Sequence, residues 1–169
     1  MKIGFVGSQG TGKTTLAYEL AHYLKLQGND VYVLSEVARS CPLPINESTT
    51  KESQLWIMGK QMTREQSAKG KIYITDRTLL DSFCYGMRID EKFFNHFKEF
   101  VKEYLTTYDY ILYLKPNDKY LKDDGTRSVD KNFRDEIDFL MKKYLDELCP
   151  NYFKLDTNNL ENILEVINV

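Results

Sequence analysis

Gly7, Gly10, Gly12, Lys13 and Thr14 lie within nine residues, GSQGTGKTT, at the spacing GxxxxGK[ST]. Glycines let successive main-chain N–H groups converge on one concavity and place no Cβ in the path of a polyphosphate. Lys13 supplies a point charge for β- and γ-phosphates, and Thr14 a hydroxyl for Mg²⁺. Gln9, Thr11 and Thr15 complete the cradle, Thr15 with a further hydrogen bond to offer. A solvated glycine-rich turn would need no particular neighbours. Here the loop follows an apolar run, KIGFV, and opens a helical one, LAYELAHYLK, so a helix dipole adds positive potential at its mouth. The chemistry implied is nucleoside-triphosphate binding.

A second acid belongs with it. Asp76 ends the apolar run KIYIT, and a carboxylate at the C-terminal edge of a buried strand stands where ligands bind in open α/β sheets. It can hold Mg²⁺ directly or through water, completing what Thr14 begins. Capping of the next helix by Asp76, with Arg77 paired on the surface, is the plainer alternative. Glu36 likewise follows a strand-like run, VYVLS, with Arg39 three residues on.

Strand-like and helix-like periods alternate throughout, which predicts parallel βαβ units and an α/β fold. Strands are expected at Lys2–Val6 and at 31–35, 71–75, 110–114 and 152–155. Helices are expected after the glycine loop, over 52–69, after Arg77, and from Phe133 to Leu148, with LENILEVINV closing the chain. Phe93, Phe94, Phe97, Phe100, Val101, Tyr104 and Leu105 are expected on one face of a further helix, as core. The polar stretch from Lys115 to Asn132 interrupts the domain without founding another.

With 169 residues, 42% of them hydrophobic, the chain suits a single domain with a sizeable core. A net charge of -2 advertises neither a nucleic-acid nor a membrane partner. Three scattered cysteines, Cys41, Cys84 and Cys149, read as reduced thiols of a cytoplasmic protein. No run approaches the ~18 apolar residues of a membrane span.

Four stretches, GSQGTGKTT, SEVARS, LWIMGKQMTREQSAKGKIYITDRTLLDSFCYG and KDDGTRSVDKNFRDEID, resemble the small P-loop kinases over nearly the whole chain. The likeness is to the AAA-type group that includes the bacterial nicotinamide riboside kinase domain and many phage proteins. Deoxynucleoside and thymidylate kinases are more distant kin. This resemblance implies a three-layer P-loop fold, residues 1–169 as one kinase domain, a five-stranded parallel sheet with the Asp76 strand beside the first, and a mobile lid near 115–134. It implies ATP with Mg²⁺ as cofactors and places Arg77 on phosphate or acceptor. It sets Glu36 facing the acceptor, where a carboxylate takes the proton that a hydroxyl must lose. A structural pair with Arg39, or the start of a helix cap, are the other readings of Glu36.

By the same resemblance Arg39, Trp56, Gln61 and Asp81 fall on the acceptor side with Glu65, although core or surface roles suit Trp56 and Gln61 as well. Arg127 and Arg134 match lid arginines, with Lys122 as a further cation. Seven residues apart, they would share a face if helical; an Arg134–Asp138 surface pair is the alternative. The acceptor expected is a nucleoside-like or nucleotide substrate. Hydroxymethylated bases in DNA, met by Lys51, Lys60, Arg64 and Lys69, form the runner-up, followed by nucleoside monophosphates and by a non-kinase ATPase or switch. No membrane partner is expected, and dimers are common in related kinases, which leaves a homodimer open.

Overall fold

Five apolar runs become β1 (Lys2–Val6), β2 (Val31–Leu34), β3 (Ile72–Asp76), β4 (Tyr110–Tyr113) and β5 (Phe153–Lys154). The computed structural model describes residues 1–68, 72–120, 128–155 and 158–168, and in it these strands pair in parallel in the order β2-β3-β1-β4-β5. The Asp76 strand therefore lies beside the first. Register opposes Phe5 to Asp76 and Leu34 to Thr75, so the chain leaves β1, β2 and β3 at one edge, with Gly7, Glu36 and Asp76 close together in the fold.

Side chains alternate across the sheet. Ile3, Phe5, Ile74 and Leu112 face a core with α1 (Lys13–Leu26) and α7 (Leu160–Ile167), through Leu16, Leu20, Leu24, Ile163 and Ile167. Val6, Ile111 and Tyr113 face the other, built with α2 (Lys51–Ser67), α3 (Leu79–Ile89), α4 (Glu91–Phe94), α5 (Lys98–Leu105) and α6 (Lys131–Leu148). Helices on both faces of one parallel sheet make three layers.

Capping fixes where several helices begin. Thr50 and Ser53 form a reciprocal box on α2, Thr78 and Asp81 another on α3, and Asp130 accepts from Asn132 and Phe133 on α6. Such caps contribute on the order of 1 kcal/mol each. Because Thr78 caps α3, Asp76 is free of that duty.

The phenylalanine stripe is not one helix. Asp90 accepts from the Phe93 amide to start α4, a 3-10 turn covers Asn95–Phe97, and α5 follows. This break in period leaves Phe100 40% exposed while Phe94 is fully buried. The Phe94 ring lies against Gly86 of α3, where an added Cβ would come within 2.4 Å of it.

One buried carboxylate ties strand to helix. Glu65 of α2 accepts from Gln61 at 2.6 Å, Tyr108 at 2.6 Å and Tyr104 at 2.8 Å, and pairs with Lys2 of β1 at 2.6 Å. Lys2 also sits over the Tyr108 ring, 3.9 Å from its centroid. Glu65 is thus a structural hub. Among the described residues no helix is long and apolar enough to cross a membrane.

Candidate active site

The loop between β1 and α1 has the shape that its glycines permit. Gly12 takes φ 85° immediately before α1, in the left-handed region where a side chain is strained. A Cβ on Gly7 would meet the Leu114 carbonyl at 2.7 Å, so the residue that follows β4 closes over the loop's first residue. Lys13 Nζ donates to the Gly7 and Ser8 carbonyls, both at 2.6 Å, and to Thr11 Oγ1 at 3.0 Å. Burial, reinforced by Arg77, lowers its pKa to about 8. Asn117 N–H reaches the Gly10 carbonyl at 2.9 Å, and Asn158 Nδ2 donates to the Thr11 and Lys115 carbonyls, both at 2.9 Å. The stretch after β4 and the stretch after β5 thus clasp the loop.

Thr14 Oγ1 donates to Asp76 Oδ2 at 2.6 Å. Burial raises the Asp76 pKa, against the pull of Lys13. Two hard oxygens side by side, beside a phosphate cradle, are a donor set that fits Mg²⁺ sharing its shell with phosphate and water. Among the described residues no cluster of three or more His, Cys, Asp or Glu is arranged as a metal cage.

Glu36, after β2, and Arg77, after β3, meet across the strand ends. Arg77 Nε donates to Glu36 Oε1 at 2.6 Å and Arg77 Nη1 to Asp81 Oδ1 at 3.1 Å, while Arg39 Nε reaches Glu36 Oε2 at 3.1 Å. Burial works against ionised Glu36, but the Arg77, Lys13 and Arg39 charges outweigh it and hold the pKa down at about 2. Burial likewise opposes the Arg77 charge, and Glu36 overcomes it, so the guanidinium stays protonated. Arg77 holds φ 114°, a strained value for a residue with a side chain. Its carbonyl accepts from Gln61 Nε2 at 3.2 Å. Asp81 divides its oxygens, one to Arg77 and the other to the Thr78 amide at 2.8 Å.

A cleft of about 290 Å³ runs over the loop, lined by Gln9 to Thr15, Glu36, Asp76, Arg77, Lys119 and Tyr120. Behind Glu36 and Arg77 lie two smaller, adjoining cavities of about 40 and 30 Å³. Ile45, Asn46 and Tyr85 line both, while Gln54, Ile57, Asp81 and Ser82 line the larger. Gln9, Glu36 and Arg77 are shared between the large cleft and the smallest cavity.

The profile of a family described as an AAA domain matches residues 2–162. The chain belongs to this AAA-domain family. Deoxyadenosine kinase from M. mycoides with bound dATP superposes with a TM-score of 0.71 at 19% identity, each chain covered completely. NadR protein in complex with NR gives 0.74 at 20% identity, covering 99% of this chain and 51% of that one. This AAA-domain chain therefore spans about half the length of NadR. Both likenesses show the fold, that of P-loop nucleoside kinases, which is the group the sequence resembles. No curated protein matches.

Other residues singled out in this AAA-domain sequence fall elsewhere. Trp56 is half-buried and does not line these cavities. Gln61 is buried, its amide donated to Glu65 and to the Arg77 carbonyl. Arg134 belongs to α6, bonded to Asp118 Oδ1 at 2.5 Å and Asp135 Oδ1 at 2.8 Å, whereas Asp138 pairs with Lys142 and Tyr113. Arg127, Lys122 and Lys69 lie outside the described residues. Lys51 is paired with Asp90 at 3.2 Å. Missed by sequence reading were Gln54, Asn46 and Tyr85 on the far side of Glu36, and Lys119 and Tyr120 on the near side. The signal for Gln54 and Tyr85 was polarity at helix positions whose rotation a periodicity leaves ambiguous, whereas Asn46, Lys119 and Tyr120 lie in short 3-10 turns where no periodicity applies.

Proposed function

We propose that the protein is an ATP-dependent kinase that transfers the γ-phosphoryl group to a hydroxyl of a nucleoside-like small molecule. The observation that carries this is Glu36, held by Arg77 in the wall between a phosphate cradle and a second, partly polar hollow. Triphosphate lies along the loop amides, with Lys13 against the β- and γ-oxygens. Thr14 and Asp76 would hold Mg²⁺, which when bound neutralises charge on those oxygens. The acceptor hydroxyl approaches from the Tyr85 side.

As the acceptor oxygen bonds to the γ-phosphorus, its proton passes to the Glu36 carboxylate. The bond from that phosphorus to the β–γ bridging oxygen breaks, and its electrons leave with ADP. A carboxylate with a pKa of about 2 is a weak base. Incoming phosphates draw the Arg77 and Lys13 charges toward themselves, which relaxes their hold and makes Glu36 more basic. Arg77 then serves twice, restraining the base in the empty cleft and steadying the moving phosphoryl group afterwards. The lid role of Arg127 and Arg134 belongs to this proposal too; Arg134 reaches the cleft's rim through Asp118, two residues before Tyr120.

Glu36→Gln tests it, because the amide keeps an acceptor for Arg77 while removing the base. With ATP and a panel of nucleosides, nucleotides and hydroxymethylated DNA, turnover should fall on the order of 10²–10⁴-fold. ATP affinity by calorimetry should stay within a few-fold of wild type. Normal turnover at saturating substrate, with ATP binding lost, would reverse the assignment.

A further inference from the structure

The partition between cleft and acceptor hollow holds one acid, one cation and one neutral amide: Glu36, Arg77 and Gln9. The first two are spent on each other and on their neighbours. Gln9 is not. It is 4% exposed, its Oε1 accepts from the Tyr85 hydroxyl at 3.2 Å, and its Nε2 has no hydrogen-bond partner among the described residues. Buried donors without partners are rare in folded proteins. Ser8 Oγ shares that condition but lines neither hollow.

Orientation of the amide is decided by its neighbours. The Tyr85 hydroxyl, kept protonated by burial that pushes its pKa up to about 12, donates to Oε1, which leaves Nε2 as the buried, unpartnered donor of a side chain that lines both hollows. The reversed amide would aim a bare oxygen at a concavity built for anions. What reaches Nε2 is therefore an acceptor, and an anionic one suits the surroundings.

We infer that the Gln9 side-chain amide is a catalytic hydrogen-bond donor to the γ-phosphoryl group as it crosses from the nucleotide cleft to the acceptor hollow, an assignment that rests on the kinase reading above. A phosphoryl group in flight spreads charge over three equatorial oxygens. Lys13 and the loop amides approach from one side and Arg77 from another. Gln9 supplies a preorganised neutral donor at the crossing point, where an additional cation would bind the product phosphate too tightly. Gln9 neither gives nor takes a proton; the bonds made and broken are those of the transfer itself.

Gln9→Met keeps length and removes the donor; Gln9→Glu keeps shape and replaces donor by anion. With the best acceptor, Gln9→Met should lower kcat on the order of 10²-fold while KM for ATP changes only a few-fold. Gln9→Glu should fall further. Independently of turnover, aluminium fluoride should strengthen Mg-ADP binding to the wild type in calorimetry, and Gln9→Met should lose about tenfold of that enhancement. Melting curves confirm that each variant is folded, and Gln9→Asn, shorter but still a donor, replaces any that is not; it should retain part of the activity. A kcat within twofold of wild type, or an undiminished fluoride enhancement, overturns the assignment. Should the wild type phosphorylate no acceptor at all, the kinase reading fails, and the fluoride comparison alone still decides whether Gln9 meets a phosphoryl group.

Discussion

Lys13 shows how one buried charge couples ligand to solvent pH. Its folded pKa is lowered from 10.5 to about 8 by burial and by Arg77. Below about pH 8 both folded and unfolded chains carry this proton, and the folded state bears the full cost of a buried charge. That cost fades as pH rises from 8 toward 10.5, where the unfolded lysine still holds its proton and the folded one does not. Phosphate anions beside the ammonium reverse the effect by raising its pKa. Nucleotide binding should therefore take up little proton at pH 6.5 and a growing fraction, approaching one, near pH 9. Calorimetry in buffers of differing ionisation enthalpy measures it, and Lys13→Met should abolish the uptake. Most of this residue's environment was readable in advance, because cradle and lysine are contiguous in the chain. The Glu36–Arg77 contact was not. The two are 41 residues apart, and only the adjacency of β2 and β3 brings them together.

At the scale of elements, α3 both positions the site and packs the core. Asp81 of its capping box holds Arg77, and its Gly86 receives the Phe94 ring. Alanine at 86 would favour an isolated helix by about 1 kcal/mol, yet its Cβ would stand 2.4 Å from a fully buried ring. Overpacking of this kind costs typically 1–3 kcal/mol, and more where nothing can yield. Gly86→Ala should accordingly destabilise the protein, by about 1–2 kcal/mol after the helix gain, read as a lowered denaturation midpoint in urea. If stability rises instead, the Phe94 ring has found another place. Helix existence was legible from apolar spacing, and strand order only from family resemblance. The break at Asn95–Phe97 was not, since Phe93, Phe94, Phe97 and Phe100 satisfy a continuous helix equally well on paper. Nor was the rotation of α2, which decides that Gln54 lines the hollow behind Glu36 and Trp56 does not.

For the whole molecule, ligand and fold should be linked by mass action. A nucleotide at a hundred times its dissociation constant stabilises the folded state by about 2.7 kcal/mol. For a chain of this size that raises the melting temperature by roughly 5–10 °C. Differential scanning fluorimetry with Mg-ATP should show the rise, and Lys13→Met or Asp76→Ala should reduce it. No shift with either ATP or GTP would remove the ground on which every later assignment stands.

Asn158 places a further condition on that linkage. Its amide fastens Thr11 in the first loop to Lys115 at the exit of β4, while Ile163 and Ile167 seal the apolar layer under α1. A nascent chain halted before residue 158 would already contain every residue of the cradle, yet lack the clip that holds it in shape. The shape of the cradle thus waits on a residue 147 positions further along the chain than the Thr11 it fastens.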